Sequence, residues 1–350
     1  MARQRARELG IELGSMETGK LNAITDVKGV GVGHSTLVEG ESIRTGVTAI
    51  APHRGSLIDE KVVAAVDLFN AYGKSTGLPQ IIYEGVLETP IVLTETLNTW
   101  RVADAVVDYH VERMGISPTS LNVVVGETNG SYLTDNIRRH VGREHVFEAL
   151  DIARSASGRG RVLEGNVGGG TPMTGYGFKG GIGTSSRVGD GFTVGSLVQL
   201  NCGIKEDLTI AGVPVGKEVK LPKNPATSTG NSIMMIIATD LAIDSRQLWK
   251  VAKRAALGLA RTGTYGGNNS GDFTIAFTTG TVPHVGEGDK FLNPVYKATV
   301  EATEEAVVNA LFSAETMTGY QGHVRHALPL DQVREIFQRY GRELPKACKC

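Results

Sequence analysis

Ser270, inside Asn268-Asn269-Ser270-Gly271-Asp272, is the residue whose setting points most directly to chemistry. A polar, glycine-rich loop presents it immediately before the apolar run Phe273–Phe277. An ordinary helix-to-strand loop has the same composition. Breakage of the Asn269–Ser270 bond would leave Ser270 leading that run, with a new α-amine beside its own hydroxyl. An α-amine titrates near ~8, so it can serve as the base for a serine nucleophile at neutral pH. A second constellation is Ser313 and Glu315 in Ser313-Ala-Glu-Thr-Met-Thr-Gly319, where an amphipathic helix ends. A hydroxyl and a carboxylate there could steer the proton of a nucleophile; the plain alternative is a solvated helix end.

Other catalytic arrangements fail on their residues. Histidines stand at 34, 53, 110, 140, 145, 284, 323 and 326, and no His-Glu-x-x-His spacing occurs, so a zinc site is disfavoured. Gly165-Asn-Val-Gly-Gly-Gly-Thr171 lacks the lysine of a phosphate loop and the Gly-x-Gly-x-x-Gly of a dinucleotide fold. The glycine clusters at Gly29–Gly33, Gly165–Gly170, Gly175–Gly183 and Gly263–Gly271 read either as tight hairpins or as a site lined by main-chain N–H groups. A Ser–His–Asp hydrolase is disfavoured.

These residues need strands and helices to hold them. Strands are expected at Thr48–Ala51, Thr89–Thr94, Leu121–Val125, Thr193–Gln199, Ser232–Thr239 and Phe273–Phe277. Helices are expected at Lys61–Tyr72, with Val62, Val63, Val66 and Phe69 on one face, and at Leu97–Met114 and Ser245–Ala260, the last capped by Asp244 or Ser245. Two more are read at Pro294–Phe312, with Glu301, Glu304 and Glu305 outward, and at Asp331–Arg342. Strands that follow one another with only turns between favour sheets packed face to face with helices outside. A single domain over 1–350 is expected, with residues 1–20 peripheral.

Composition narrows the class. The 350 residues carry 36 basic and 37 acidic side chains, so no nucleic-acid partner is implied. The longest apolar run, Ser232–Ala238, is far short of the ~20 residues of a membrane helix, and the charged start is no secretory signal. Three cysteines, Cys202, Cys348 and Cys350, form no disulfide framework, and a cytoplasmic setting follows; Cys348 and Cys350 read as a non-functional tail. Glycine is abundant, 45 residues, clustered beside the strand candidates.

Several segments together resemble the DmpA/BapA family of self-processing aminopeptidases, peptidase family S58. They are the two constellations above, Asn22–Asp26 with Gly31–Thr36, Gly165–Thr171 followed by Tyr176–Arg187, Val198–Gly203, Gly212–Gly216 and Ile237–Asp240. The resemblance implies an α+β fold, a four-layer αββα sandwich, and self-cleavage at Asn269–Ser270 into residues 1–269 and 270–350. It implies Ser270 as nucleophile, Ser313 and Glu315 as its supporting pair, and Tyr176 as the active-site tyrosine. Asn201 matches the oxyanion-hole asparagine, with Asn231 as the other candidate. Glu127, in Val125-Gly-Glu-Thr-Asn129, meets the substrate's free amine or is a turn residue. No metal or organic cofactor is implied. The substrate is a small peptide, amide or ester, and the assembly a homotetramer or larger. A different amidase, an acyltransferase or an unprocessed binding scaffold are the alternatives.

Overall fold

The computed structural model describes residues 3–222, 231–281 and 289–344; His284, Cys348 and Cys350 lie outside them. The strands are β1 Gly31–Glu39, β2 Ile43–Ala51, β3 Val62–Ala71, β4 Val86–Leu87, β5 Ile91–Glu95, β6 Val124–Thr128, β7 Thr174–Gly175, β8 Phe178–Lys179, β9 Gly181–Gly189, β10 Phe192–Asn201, β11 Ser232–Thr239, β12 Gly271–Thr278, β13 Met317–Thr318 and β14 Val324–Arg325. The helices are α1 Leu78–Glu84, α2 Thr99–Glu112, α3 Arg143–Arg154, α4 Val215–Glu218, α5 Ser245–Ala260, α6 Asn293–Ser313 and α7 Leu330–Arg339.

Two sheets form the centre, one ordered β1-β2-β5-β6 and the other β4-β3-β12-β11-β10-β9. β11 shows why they stack. Its run Ser232-Ile-Met-Met-Ile-Ile-Ala-Thr239 is buried throughout, as a strand covered on both faces requires. Met234, Ile236 and Ala238 meet Ile50, Leu93 and Val124 of the smaller sheet. Ile233, Met235 and Ile237 point the other way, against Leu248 and Val251 of α5 and Leu311 of α6. On the far side, Ala49 and Val92 pack on Val102 and Val106 of α2 and Leu150 of α3. The order is therefore helices, sheet, sheet, helices, the four-layer αββα sandwich. Close approach of the outer layers depends on glycine: a Cβ on Gly33 would meet the Ala149 carbonyl of α3 at 2.1 Å, and one on Gly183 the Ala306 carbonyl of α6 at 2.0 Å.

Three expectations are corrected. Lys61–Tyr72 is not a helix but contains β3. Val62, Ala64 and Val66 alternate toward the inter-sheet core while Ala65 faces α5, so the helical spacing of its valines was accidental. Glu301, Glu304 and Glu305 of α6 are buried, not outward. Residues 1–20 are not peripheral, because Leu9, Ile11 and Leu13 enter the core and the segment covers α6. There Arg187 bonds Glu305 at 2.7 Å and Glu301 at 3.3 Å, Arg7 bonds Glu305 at 3.0 Å, and the Ser15 and Met16 amides donate to Glu301. Buried charges persist only when paired in this way. The helix at Ser245 begins as read, with Asp244 Oδ1 accepting from the Gln247 amide at 2.7 Å and Gln247 Oε1 from the Asp244 amide at 3.1 Å.

Candidate active site

Topology brings the chemistry-bearing residues to one end of the sandwich. In the larger sheet Asn201, the last residue of β10, pairs with Ser232, the first of β11, and Ser232 pairs with Gly271, the first of β12. Gly271 in turn pairs with Ala71, the last of β3. Asn201, Asn231 and Ser270 thus stand side by side at three neighbouring strand ends. The end of β6, in the smaller sheet, carries Glu127 over the same edge. The strand ends enclose a polar cleft of about 210 Å³, lined among others by Glu127, Asn129, Thr174, Asn201, Asn231 and Asn269. It falls below the ~300 Å³ of drug-sized pockets.

Asn201 is held by both ends of its amide. Its Oδ1 accepts from the Thr174 amide at 2.8 Å and its Nδ2 donates to the Asn129 carbonyl at 2.9 Å. Those partners fix which end is nitrogen. A primary amide carries two N–H bonds, so one donor is left for the cleft. Asn231 lines the cleft too, and its carbonyl accepts from the Gly271 amide at 3.2 Å.

Asn269 is exposed in the cleft and adopts a left-handed backbone, φ 66°. Ser270, next in the chain, is buried. Its hydroxyl turns inward and donates to Asp272 Oδ1 at 2.6 Å. Asn70 Nδ2 donates to Asp272 Oδ2 at 3.0 Å. A register shift between Asp272 and Phe273 in the β12–β3 pairing sets Asn70 opposite Asp272. Burial pushes the Asp272 carboxyl above its usual range, against the bonds from Ser270 and Asn70 that favour its charged form.

Glu127 Oε1 accepts from the Lys74 amide at 2.9 Å. Behind it lies the buried Glu95, which accepts from Asn98 Nδ2 at 3.2 Å. Burial first, then the charge of Glu127, push the Glu95 carboxyl up to about 8. In the unfolded chain this carboxyl titrates near ~4.3. Between these values the unfolded chain gives up the proton that the folded one keeps, so stability falls as pH rises from ~4.3 to about 8, by ~1.4 kcal/mol per unit. Glu95→Gln should remove that fall and melt higher than the parent at pH 8. Guanidinium denaturation at pH 5, 6, 7 and 8 checks it, and parallel curves for the two proteins would refute it.

Not every expected residue meets the cleft. Tyr176 is fully buried; its hydroxyl pairs with Thr262 Oγ1 at 2.6 Å, and burial raises its pKa. Ser313 and Glu315 are not among the residues lining the cleft. The Glu315 side chain is exposed, and its main chain exchanges two hydrogen bonds with the Asn166 amide. The glycine segment is not a site lined by free N–H groups. Thr36 Oγ1 takes the Gly168 amide at 2.8 Å, Thr48 Oγ1 takes that of Gly169 at 3.1 Å, and the Val167 carbonyl takes that of Gly170. Cys202 is buried, and burial with the nearby Asp272 charge pushes its thiol up, so it is no nucleophile.

Sequence reasoning passed over Asp272, although it stands two residues from Ser270. Side chains at i and i+2 of a strand share a face, and that spacing was the available signal. It also passed over Tyr132. That ring lines the cleft, stacks on His323 at 4.4 Å and lies under the Arg325 guanidinium at 3.7 Å. Residues 320–325 come from a distant part of the chain, and no local pattern connects them to 132.

Residues 22–325 match the family described as peptidase family S58. The chain belongs to that family. The peptidase is 40% identical to the β-peptidyl aminopeptidase BapA of Sphingosinicella xenopeptidilytica, over 97% of this chain and 92% of that protein. It superposes on the PH0078 protein of Pyrococcus horikoshii with a TM-score of 0.88 at 46% identity, covering 97% and 100% of the two chains. It also superposes on the L-aminopeptidase D-Ala-esterase/amidase of Ochrobactrum anthropi, a serine aminopeptidase with a variant of the N-terminal-nucleophile hydrolase fold. There the TM-score is 0.87 at 39% identity, covering 97% and 99%. The expected family and four-layer fold are both borne out, and the peptidase is an aminopeptidase of the N-terminal-nucleophile type. Among the described residues no helix is long and apolar enough to cross a membrane, and no cluster of His, Cys, Asp or Glu could hold a metal.

Proposed function

We propose that this peptidase cuts itself between Asn269 and Ser270 and then uses Ser270 to release N-terminal residues from small peptides, amino-acid amides or esters. The observation that carries this reading is the place of Asn269. It is the residue whose acyl group Ser270 would receive, and it sits in the cleft with Glu127 and Asn201. A substrate's first residue would take the same position after cleavage. Glu127 would then pair with the substrate ammonium, and the spare Asn201 N–H would face the oxyanion. Ser270 Oγ attacks the carbonyl carbon while the Ser270 α-amine takes the proton and returns it to the leaving amine. Water then hydrolyses the ester.

Tyr176 acts from behind the cleft, through Thr262 and the loop that carries Ser270. Ser313 and Glu315 remain proposed as a supporting pair, resting on the family motif. The chain works as a single domain, in the cytoplasm, and as a homo-oligomer of four or more subunits. The free Cys202 accords with a reducing compartment. Leu68, Phe69 and Tyr72, exposed along β3 and just beyond it, accord with contact between subunits.

Turnover of L-, D- and β-amino-acid p-nitroanilides by the cleaved protein tests the reading, and inactivity on all three would overturn it. With the best of them, Asn201→Ala should lower kcat about 10²- to 10³-fold, as loss of one oxyanion donor does. An unchanged kcat would remove Asn201 from the role and leave Asn231.

A further inference from the structure

Self-cleavage needs a base before any α-amine exists, because in the intact chain the Ser270 nitrogen is an amide. We propose that Asp272 is that base. This rests on the reading of Ser270 as nucleophile. Asp272 Oδ1 lies 2.6 Å from Ser270 Oγ, on the same face of the chain at the start of β12. Three strands hold the carboxylate. Asn70 of β3 donates to Oδ2, the Ile233 amide of β11 donates as well, and β12 carries Asp272 itself. Asn70 Nδ2 also reaches the carbonyls of Gly266 and Gly267, at 3.2 and 3.4 Å, tying the base to the loop that will be cut. Glu127, also at this end, is engaged by the Lys74 amide and lines the opposite sheet's side of the cleft, with Glu95 behind it.

The step balances without a co-reactant other than water. Asp272 takes the hydroxyl proton as Oγ bonds to the Asn269 carbonyl carbon. The C–N bond then breaks, and the proton passes to the departing Ser270 nitrogen, leaving an ester. Water adds to the ester and Oγ leaves, giving the Asn269 carboxylate and a free Ser270 amine.

The test times the loss of intact 37.2 kDa chain on a denaturing gel after a translation pulse. Asp272→Asn keeps an oxygen that can accept from Ser270 but is no base. It should slow cleavage by about 10²- to 10⁴-fold, the usual worth of a positioned base. Asp272→Glu should cleave at least tenfold faster than Asp272→Asn. Wild-type speed in the Asn variant would mean that Asp272 only positions the hydroxyl, and would overturn the proposal. If the Asn variant does not melt cooperatively, Asp272→Glu is compared with Asp272→Gln, which differ in charge alone; equal rates would overturn it too. Ser270→Ala runs alongside: cleavage of that variant at the same bond would sink the nucleophile reading itself, whereas a fast Asn variant beside an uncut Ala variant sinks only the role of Asp272.

Discussion

Ser270→Ala should remain a single 37.2 kDa chain and show no peptidase activity, while the parent separates on a denaturing gel into residues 1–269 and 270–350. Removal of the hydroxyl takes away both the group that attacks the Asn269 carbonyl and the nucleophile of turnover. The effect should be complete on the gel. Under native conditions the two pieces of the parent should elute together. β12 lies between β3 and β11 near the middle of the six-stranded sheet, and α6, also in the second piece, packs its apolar residues into the same core. Ser270→Cys should retain some cleavage, because a thiol is the better nucleophile. N-terminal sequencing of the smaller band should read Ser-Gly-Asp-Phe. A different first residue would move the cut, and cleavage of the Ala variant at Ser270 would end the assignment.

The second large effect is expected at Glu127. A substrate with a free amine brings a positive charge into the cleft, and among the described residues Glu127 is the acidic side chain that lines it. Charged hydrogen bonds of this kind contribute ~1.5–3 kcal/mol, so Glu127→Gln should lower kcat/KM for free-amine substrates about 10- to 100-fold. N-acetylated analogues should be poor substrates of the parent and no poorer with the variant. The buried Glu95 behind keeps the choice sharp: with its carboxyl pushed up to about 8 it is neutral at pH 7, so the cleft presents one negative charge there rather than two. Steady-state kinetics with matched free and acetylated p-nitroanilides settle the point. Equal losses on both would make Glu127 a purely structural residue of β6, which is where it lies rather than in a turn.

Much of the architecture was written locally. Ser232–Thr239 and Ser245–Ala260 have the expected bounds, since one is an unbroken apolar run with turn residues beside it and the other has a cap followed by a helical stripe. The reading failed where a partner far away in the chain decides. In β3, two valines four residues apart fit a helix as well as a strand, and pairing with β12 is what selects the strand. In α6, Glu301 and Glu305 look solvated until Arg187, from a strand more than a hundred residues earlier, is placed against them.

The site divides in the same way. The sequence by itself determined the nucleophile candidate, because Ser270 sits at a loop-to-strand boundary that local composition marks, and it determined the family through motifs spread over the chain. Only the tertiary structure decided which residues share a cleft. Asn201 and Asn231 share it because β10 and β11 are neighbours in register, Ser270 is buried beside them at the start of β12, and Glu127 joins the cleft because a second sheet stacks on the first. Ser313-x-Glu315 and Ser270-x-Asp272 have the same spacing in the sequence. The first lies at a helix end with its carboxylate exposed, and the second at a strand start with its carboxylate buried against the hydroxyl.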